Sequence, residues 1–178
     1  GVEIRNRDRI FVDVGRMSTS SSVGTTVLAS IPTGSTSTDQ IIRDLQARRS
    51  VLVPGSSFDE VAGAIVEAVN QLLEKPEQAA FLCGALVNDD IPDTISRLRS
   101  EGNKAGRILR DSAPYAHPQF SHARTATPLI LEVSQQQKSL YSQELVGPIS
   151  FIIKGQDSDD CLMAASSDAA DYGAITSH

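Results

Sequence analysis

Apolar positions in this chain alternate between two patterns, short unbroken runs and helical spacing. The plainest helical stretch follows Ser57. Phe58, Val61, Ala62, Ile65, Val66, Val69, Leu72 and Leu73 recur at the i, i+3, i+4, i+7 spacing of one apolar helix face. Ser57-Phe58-Asp59-Glu60 has the order of a capping box at its start. Pro76 opens a short helix through Ala79, Ala80, Phe81 and Leu82. Asn88-Asp89-Asp90 caps another, with Ile91, Ile95 and Leu98 inward and Gly102 as its stop. Asp157-Ser158-Asp159-Asp160 caps a helix that carries Cys161, Leu162, Ala164, Ala165 and Ala169 and ends at Tyr172-Gly173. A helix is also predicted over 39–49, with Ile41, Ile42 and Leu45 on one face and Thr38 or Asp39 as N-cap.

The short runs read as strands at 10–14, 27–31, 51–53, 105–110, 127–133, 148–153 and 174–176. Gly15 ends the first, and Pro54-Gly55 closes the run at 51–53. Strands alternating with helices predict an α/β fold, with a mostly parallel sheet flanked by helices. There is no internal repeat and no evident linker, so 1–178 reads as a single α/β domain. The Ser/Thr-rich stretch at 18–38 reads as a solvated loop rather than a phosphate cradle, and 111–124 as an ordered loop.

Composition narrows the function classes. The 178 residues are 40% hydrophobic and 21% charged, enough for a real core. A net charge of −6 argues against nucleic acid or an anionic membrane as the main partner, because both require a basic face. No apolar run is long enough to span a bilayer. Gly1-Val2-Glu3-Ile4-Arg5 has mixed charge and no apolar signal core, so a cytoplasmic location is expected. Gly1 is not an initiator Met, so a processed piece is among the expectations. Two cysteines make no disulfide framework.

Chemistry concentrates at Gln143-Glu144-Leu145-Val146-Gly147-Pro148. Gly147 permits a backbone conformation, or a close approach, that a β-carbon would oppose. Pro148 suits the first residue of the apolar strand that follows. A carboxylate, Glu144, therefore sits on a stiff turn at the edge of a buried sheet, a common place for ligand contacts in α/β proteins. Other candidates are weaker. Cys83 reads as a small core residue. Cys161 lies at a helix start that favours a thiolate, but Asp157, Asp159 and Asp160 oppose it. His117, His122 and His178 have no metal-ligand spacing, and no metal is expected. Arg48-Arg49 and Arg97-Leu98-Arg99 read as solvated charges.

The order from Tyr141 to Ile175 resembles the aldehyde dehydrogenase superfamily. That family has a Glu, two residues, Gly-Pro, a strand, a helix with acidic and small residues, and a Tyr-Gly turn into a further strand. The counterparts here are Glu144, Leu145-Val146, Gly147-Pro148, 149–153, 157–170 and Tyr172-Gly173-Ala174. Gly147-Pro148-Ile149-Ser150-Phe151 looks most like the phenylacetic-acid-degradation branch. Leu52-Val53-Pro54, Ser57 to Val61, Gly84 to Asp89 and Ala126 to Leu131 are similar to it too. The resemblance covers about 50–178, whereas 1–49 matches poorly.

The resemblance implies an aldehyde dehydrogenase catalytic-domain fold and an NAD or NADP cofactor. Glu144 would bind the ribose hydroxyls, with Val146, Gly147 and Pro148 completing the cofactor contact. Val146 stands where the family usually has Phe against the nicotinamide ring. The family's general base lies in Glu-Leu-Gly-Gly, which Asp13-Val14-Gly15-Arg16 loosely echoes, so Asp13 is the candidate base. The family's nucleophilic Cys is due a few residues before 51–53. The chain has Arg43-Asp44-Leu45-Gln46-Ala47-Arg48-Arg49 there, with no Cys near Leu45. The implied role is NAD(P)-dependent oxidation of a small-molecule aldehyde in phenylacetate catabolism, with this chain inactive alone. The alternative is a non-catalytic α/β interaction module, forming a homo-oligomer or pairing with a full-length subunit.

Overall fold

The computed structural model describes residues 11–15, 24–28, 49–86, 88–143, 145–172 and 175–176. The helix expected at 39–49, up to Arg49, and most of the Ser/Thr stretch lie outside them, as do Leu45, Glu144, Gly173, Ala174 and His178. The strands are β1 (Phe11–Gly15), β2 (Gly24–Leu28), β3 (Arg49–Pro54), β4 (Gly84–Ala85), β5 (Arg107–Arg110), β6 (Pro114–Tyr115), β7 (Thr125–Ala126), β8 (Leu129–Ser134), β9 (Ile149–Gly155) and β10 (Ile175–Thr176). The helices are α1 (Phe58–Leu73), α2 (Pro76–Leu82), α3 (Ile91–Ala105), α4 (Lys138–Tyr141) and α5 (Ser158–Tyr172).

A seven-stranded sheet in the order β10-β1-β2-β3-β9-β8-β5 organises the chain. The central strands β2, β3, β9 and β8 pair in parallel. β1 and β5 run against them, and β10 runs against β1, so the sheet is mostly parallel, as the alternation predicts. Parallel strands are covered on both faces, and β3, β8 and β9 are accordingly near-continuous in apolar residues. Leu52, Leu129, Leu131, Val133, Phe151 and Ile153 join a core with Ile91, Ile95 and Leu98 of α3 and Cys161 and Ala165 of α5. Val51, Val53, Ile130 and Ile152 join a second core with Phe58, Val61, Ala62, Ile65 and Val69 of α1. Each fully buried Leu, Ile, Val or Phe contributes roughly 1.5–3 kcal/mol of transfer free energy.

Local details depart from the sequence expectations in several places: the strand expected at 27–31 is Gly24–Leu28, and Ala105, expected to open a strand, is helical. Ser57 makes no capping hydrogen bond with its side chain. It closes a 3-10 turn, Gly55–Ser57, and its ψ of 1° lies outside the extended region an N-cap uses. Asp90 likewise makes no side-chain cap. Gly102 does not stop α3, which continues to Ala105 and ends at Gly106. Gly102 is instead a packing position, since a β-carbon there would lie 2.8 Å from both methyls of Leu131. The loop after β5 contains β6, which pairs with β7, itself paired with β4, to form a small three-stranded sheet. The acidic cap of α5 does form: Asp157 Oδ1 accepts from the Asp160 amide at 2.9 Å, and Asp160 Oδ2 from the Gln156 amide at 2.8 Å.

Candidate functional site

The turn before β9 is held on both sides. Leu145 is buried in the core shared with α3. Val146 points outward and is 45% exposed. Gly147 has φ of +117°, a conformation that L side chains rarely adopt. The side a β-carbon would occupy is already filled, because Ile91 Cγ2 of α3 would lie 2.9 Å away. Glycine is therefore required here by backbone conformation and by packing together. The Ile149 amide donates to the Gly147 carbonyl at 3.0 Å, and the Leu129 amide of β8 donates to the Pro148 carbonyl at 2.8 Å. Pro148, which has no N–H to donate, sits directly ahead of β9. Glu144 itself lies outside the described residues.

Sheet register decides what can meet this turn. In β9, Phe151 lies opposite Ser50 and Ile149 opposite Leu129. In β2, Gly24 lies opposite both Arg49 and Gly15. The carboxyl end of β1, the amino end of β3 and the amino end of β9 thus lie at one end of the sheet. Gly15, Arg49 and the Gly147-Pro148 turn therefore lie at the same end of the sheet. β3 and β9 are adjacent, and β1 is three strand spacings from β9, or about 14 Å.

One expectation is corrected by this arrangement. Ligands in open α/β sheets gather at the carboxyl ends of the strands. The turn, however, precedes β9 and so lies at the amino ends of β3, β8 and β9. Asp13 lies inside the sheet. Its backbone lies in the row of Thr26, Val51 and Ile152, three residues in from Ile149, or about 10 Å along β9.

Neither cysteine is near the turn. Cys161 is fully buried in the first turn of α5, beyond the carboxyl end of β9. Its thiol is pushed up to about 11, first by burial and then by Asp160 and Asp157. Cys83 ends α2, is buried, and is also pushed up to about 11 by burial, with Arg110 opposing. Among the described residues, no group of three or more His, Cys, Asp or Glu side chains is placed to hold a metal ion. His117 stacks on Phe120 and accepts the Gln119 amide at Nδ1, 3.2 Å away. No helix among the described residues is long and apolar enough to cross a membrane.

Arg97 and Arg99 keep much of their side chains in solvent, as expected, and are also paired. Arg99 bonds Asp111 Oδ1 at 2.6 Å and the Ser112 carbonyl at 3.1 Å. Arg97 bonds Glu101 at 2.9 Å and Gln143 Oε1 at 3.2 Å. Gln143 Nε2 in turn donates to the Ser139 carbonyl at 2.6 Å. Arg97 and Gln143 are 46 residues apart, and no local sequence pattern links them.

Comparison with known proteins agrees with this architecture. A family model described as "Aldehyde dehydrogenase family" matches residues 46–177. No curated protein matches the chain. Among solved structures, an NAD-dependent aldehyde dehydrogenase from Burkholderia multivorans is 31% identical with a TM-score of 0.56, covering 70% of this chain and 28% of that one. An NAD-dependent benzaldehyde dehydrogenase from Corynebacterium glutamicum is 16% identical with a TM-score of 0.50, covering 69% of this chain and 26% of that one. At 16% identity the second likeness is one of fold alone. The chain spans less than a third of the length of either structure.

Proposed function

Because the chain belongs to the aldehyde dehydrogenase family, we propose that it is part of the catalytic domain of an NAD(P)-dependent aldehyde oxidoreductase, inactive as this chain alone. Its substrate class is an aldehyde from aromatic breakdown, with phenylacetate catabolism the branch its motifs favour. The observation that carries the reading is that Gly15 at the carboxyl end of β1, the start of β3 and the Gly147-Pro148 turn lie at one end of the sheet.

The turn suits a nicotinamide cofactor. Glu144, next to a backbone fixed by Gly147 and Pro148, accepts hydrogen bonds from the vicinal hydroxyls of a ribose. Val146 offers an exposed aliphatic surface to the nicotinamide and cannot stack on it as a ring would. Such a cofactor supplies the hydride acceptor of the reaction. Asp13 is the candidate base, set back from the rim. The family's chemistry requires a thiolate nucleophile. The segment 43–49 contains no Cys, and both cysteines of the chain are buried with raised thiol pKa values. Their unpaired state suits a reducing, cytoplasmic compartment.

The test has two arms. The chain is incubated with an aldehyde and NAD or NADP while absorbance of the reduced cofactor is followed; no turnover is expected, and measurable turnover would overturn the claim of inactivity. Binding of NADH and NADPH is then compared between the parent chain and Glu144→Gln. Loss of charge-assisted bonds worth about 1.5–3 kcal/mol predicts weakening of roughly tenfold or more. Equal affinity in the two proteins removes Glu144 from the site. The lack of an accessible thiol also favours a second reading, a non-catalytic interaction module that forms a homo-oligomer or joins a full-length subunit. A stable complex with a partner chain, together with no cofactor binding, would select it.

A further inference from the structure

The small sheet is tied to the rest of the chain chiefly by polar contacts, and these converge on Thr127 and Arg110. The Thr127 amide donates to the Ala113 carbonyl at 2.8 Å, and Thr127 Oγ1 accepts from the Ala113 amide at 2.9 Å. The Ser112 hydroxyl donates to the Thr127 carbonyl at 2.6 Å. Arg110, the last residue of β5, clasps the same segment. Its Nη1 donates to Thr127 Oγ1 at 3.1 Å, to the Pro128 carbonyl at 2.8 Å and to the Asp111 carbonyl at 2.9 Å. Its Nε reaches Asn70 Oδ1 of α1 at 3.0 Å. One half-buried guanidinium thus joins α1, β5 and the link between β7 and β8. Cys83, immediately before β4, is buried and close enough to feel the Arg110 charge.

We propose that Arg110 is a latch: when its bonds break, β4, β6 and β7 open as one unit and bare Cys83. The three strands move together because β7 is shared. Ala126 lies opposite both Gly84 and Pro114, and Thr125 opposite both Ala85 and Tyr115. Each strand has two residues, β6 is exposed or half-buried, and short pairings with little buried apolar surface open at lower cost than the whole fold. The other ties are weak. Arg124 and Asp89 form an exposed ion pair, and Tyr115 Oη is 3.5 Å from the Pro76 carbonyl. Leu86, packed on the α3 core, and Leu129, buried in it, mark where the opening stops.

The experiment follows maleimide labelling of each cysteine by peptide mass, with hydrogen exchange over 112–127 and 149–155, in the full chain. The proteins are the parent, Arg110→Met, Arg110→Lys and Thr127→Val. Cys161, in α5, is the internal reference. In the parent, Cys83 should label faster than Cys161 and depend less on urea, because local opening exposes less surface than unfolding. Loss of bonds from a charged donor predicts a roughly ten- to hundredfold faster Cys83 rate in Arg110→Met, beyond any change at Cys161. Arg110→Lys keeps the charge and loses the fork, so it should show most of that gain. Thr127→Val removes one acceptor and should give about two- to tenfold. Exchange should quicken over 112–127 and not over 149–155. Equal acceleration of both cysteines, or an unchanged Cys83 rate, overturns the latch. Faster Cys83 labelling without faster exchange over 112–127 overturns the concerted unit. If Arg110→Met does not fold, Thr127→Val decides by the same criteria.

Discussion

Cys161 shows how much of one residue's chemistry its neighbours in sequence reveal. A helix start favours a thiolate and three nearby aspartates oppose it, a balance visible in the sequence. The larger influence is burial, which lies in the tertiary structure. Gly155, at the end of β9, has no side chain, and a β-carbon there would collide with Cys161 Sγ. The thiol of Cys161 is thus pressed against the sheet, and Cys83 is buried beside Arg110. Both thiols titrate at about 11 in place of the usual 9.0, so the folded state favours the neutral form more than the unfolded state does. The stabilisation is complete below pH 9.0 and is lost as pH rises towards 11. Urea midpoints should therefore fall over that interval, and fall less in a Cys83→Ala, Cys161→Ala double variant. At pH 8 the native protein should react with a disulfide reagent far more slowly than free cysteine does. Labelling at the free-thiol rate would contradict the burial of both groups.

Two helical glycines make opposite predictions at the scale of the element. Gly63 lies on the exposed side of α1, and a β-carbon there would meet nothing within 4 Å. Gly63→Ala should stabilise the protein by about 0.5–1 kcal/mol through helix propensity alone. Gly102 gains the same propensity on becoming Ala, but its β-carbon would press on Leu131, which is fully buried between α3 and the sheet. Overpacking costs about 1–3 kcal/mol, so Gly102→Ala should be destabilising on balance. Denaturant midpoints that move the same way in both variants would refute the packing argument. The pair also marks what can be read from sequence at this scale. Periodicity revealed α1 and the inward residues of α3, because 3.6-residue spacing of apolar positions directly expresses one-sided burial. A glycine near a helix end looks the same whether it stops the helix or admits a neighbour, so Gly102 was read as a stop. Strands of two residues such as β4, β6 and β7 are too short to express any period, so the small sheet left no pattern in the sequence. The Arg97–Gln143 bond was hidden for a related reason, since it depends on folding across 46 residues.

At the scale of the whole molecule, the two ends of the parallel strands have different tasks. The amino ends collect the strand end of β1, the start of β3 and the Gly147-Pro148 turn. The carboxyl ends are closed by packing and by the cap of α5: a β-carbon at Gly55 would lie 3.1 Å from the Gly155 carbonyl, and Asp157 holds the Asp160 amide at 2.9 Å. Ile149 and Gly155 bound β9, so the two regions are separated by about 20 Å of strand. Perturbations that far apart, with no shared partner, are expected to be nearly independent. Asp157→Ala removes an N-cap and should cost about 1 kcal/mol of stability. It should leave NADH affinity within about twofold of the parent, because no contact of the turn is changed. Glu144→Gln should do the reverse, weakening NADH binding roughly tenfold or more while the urea midpoint changes little. Measuring both quantities in both variants tests the division directly. If Asp157→Ala also weakened binding roughly tenfold, the sheet would be transmitting strain between its ends, and the amino-end turn could not be treated as a site with its own local frame.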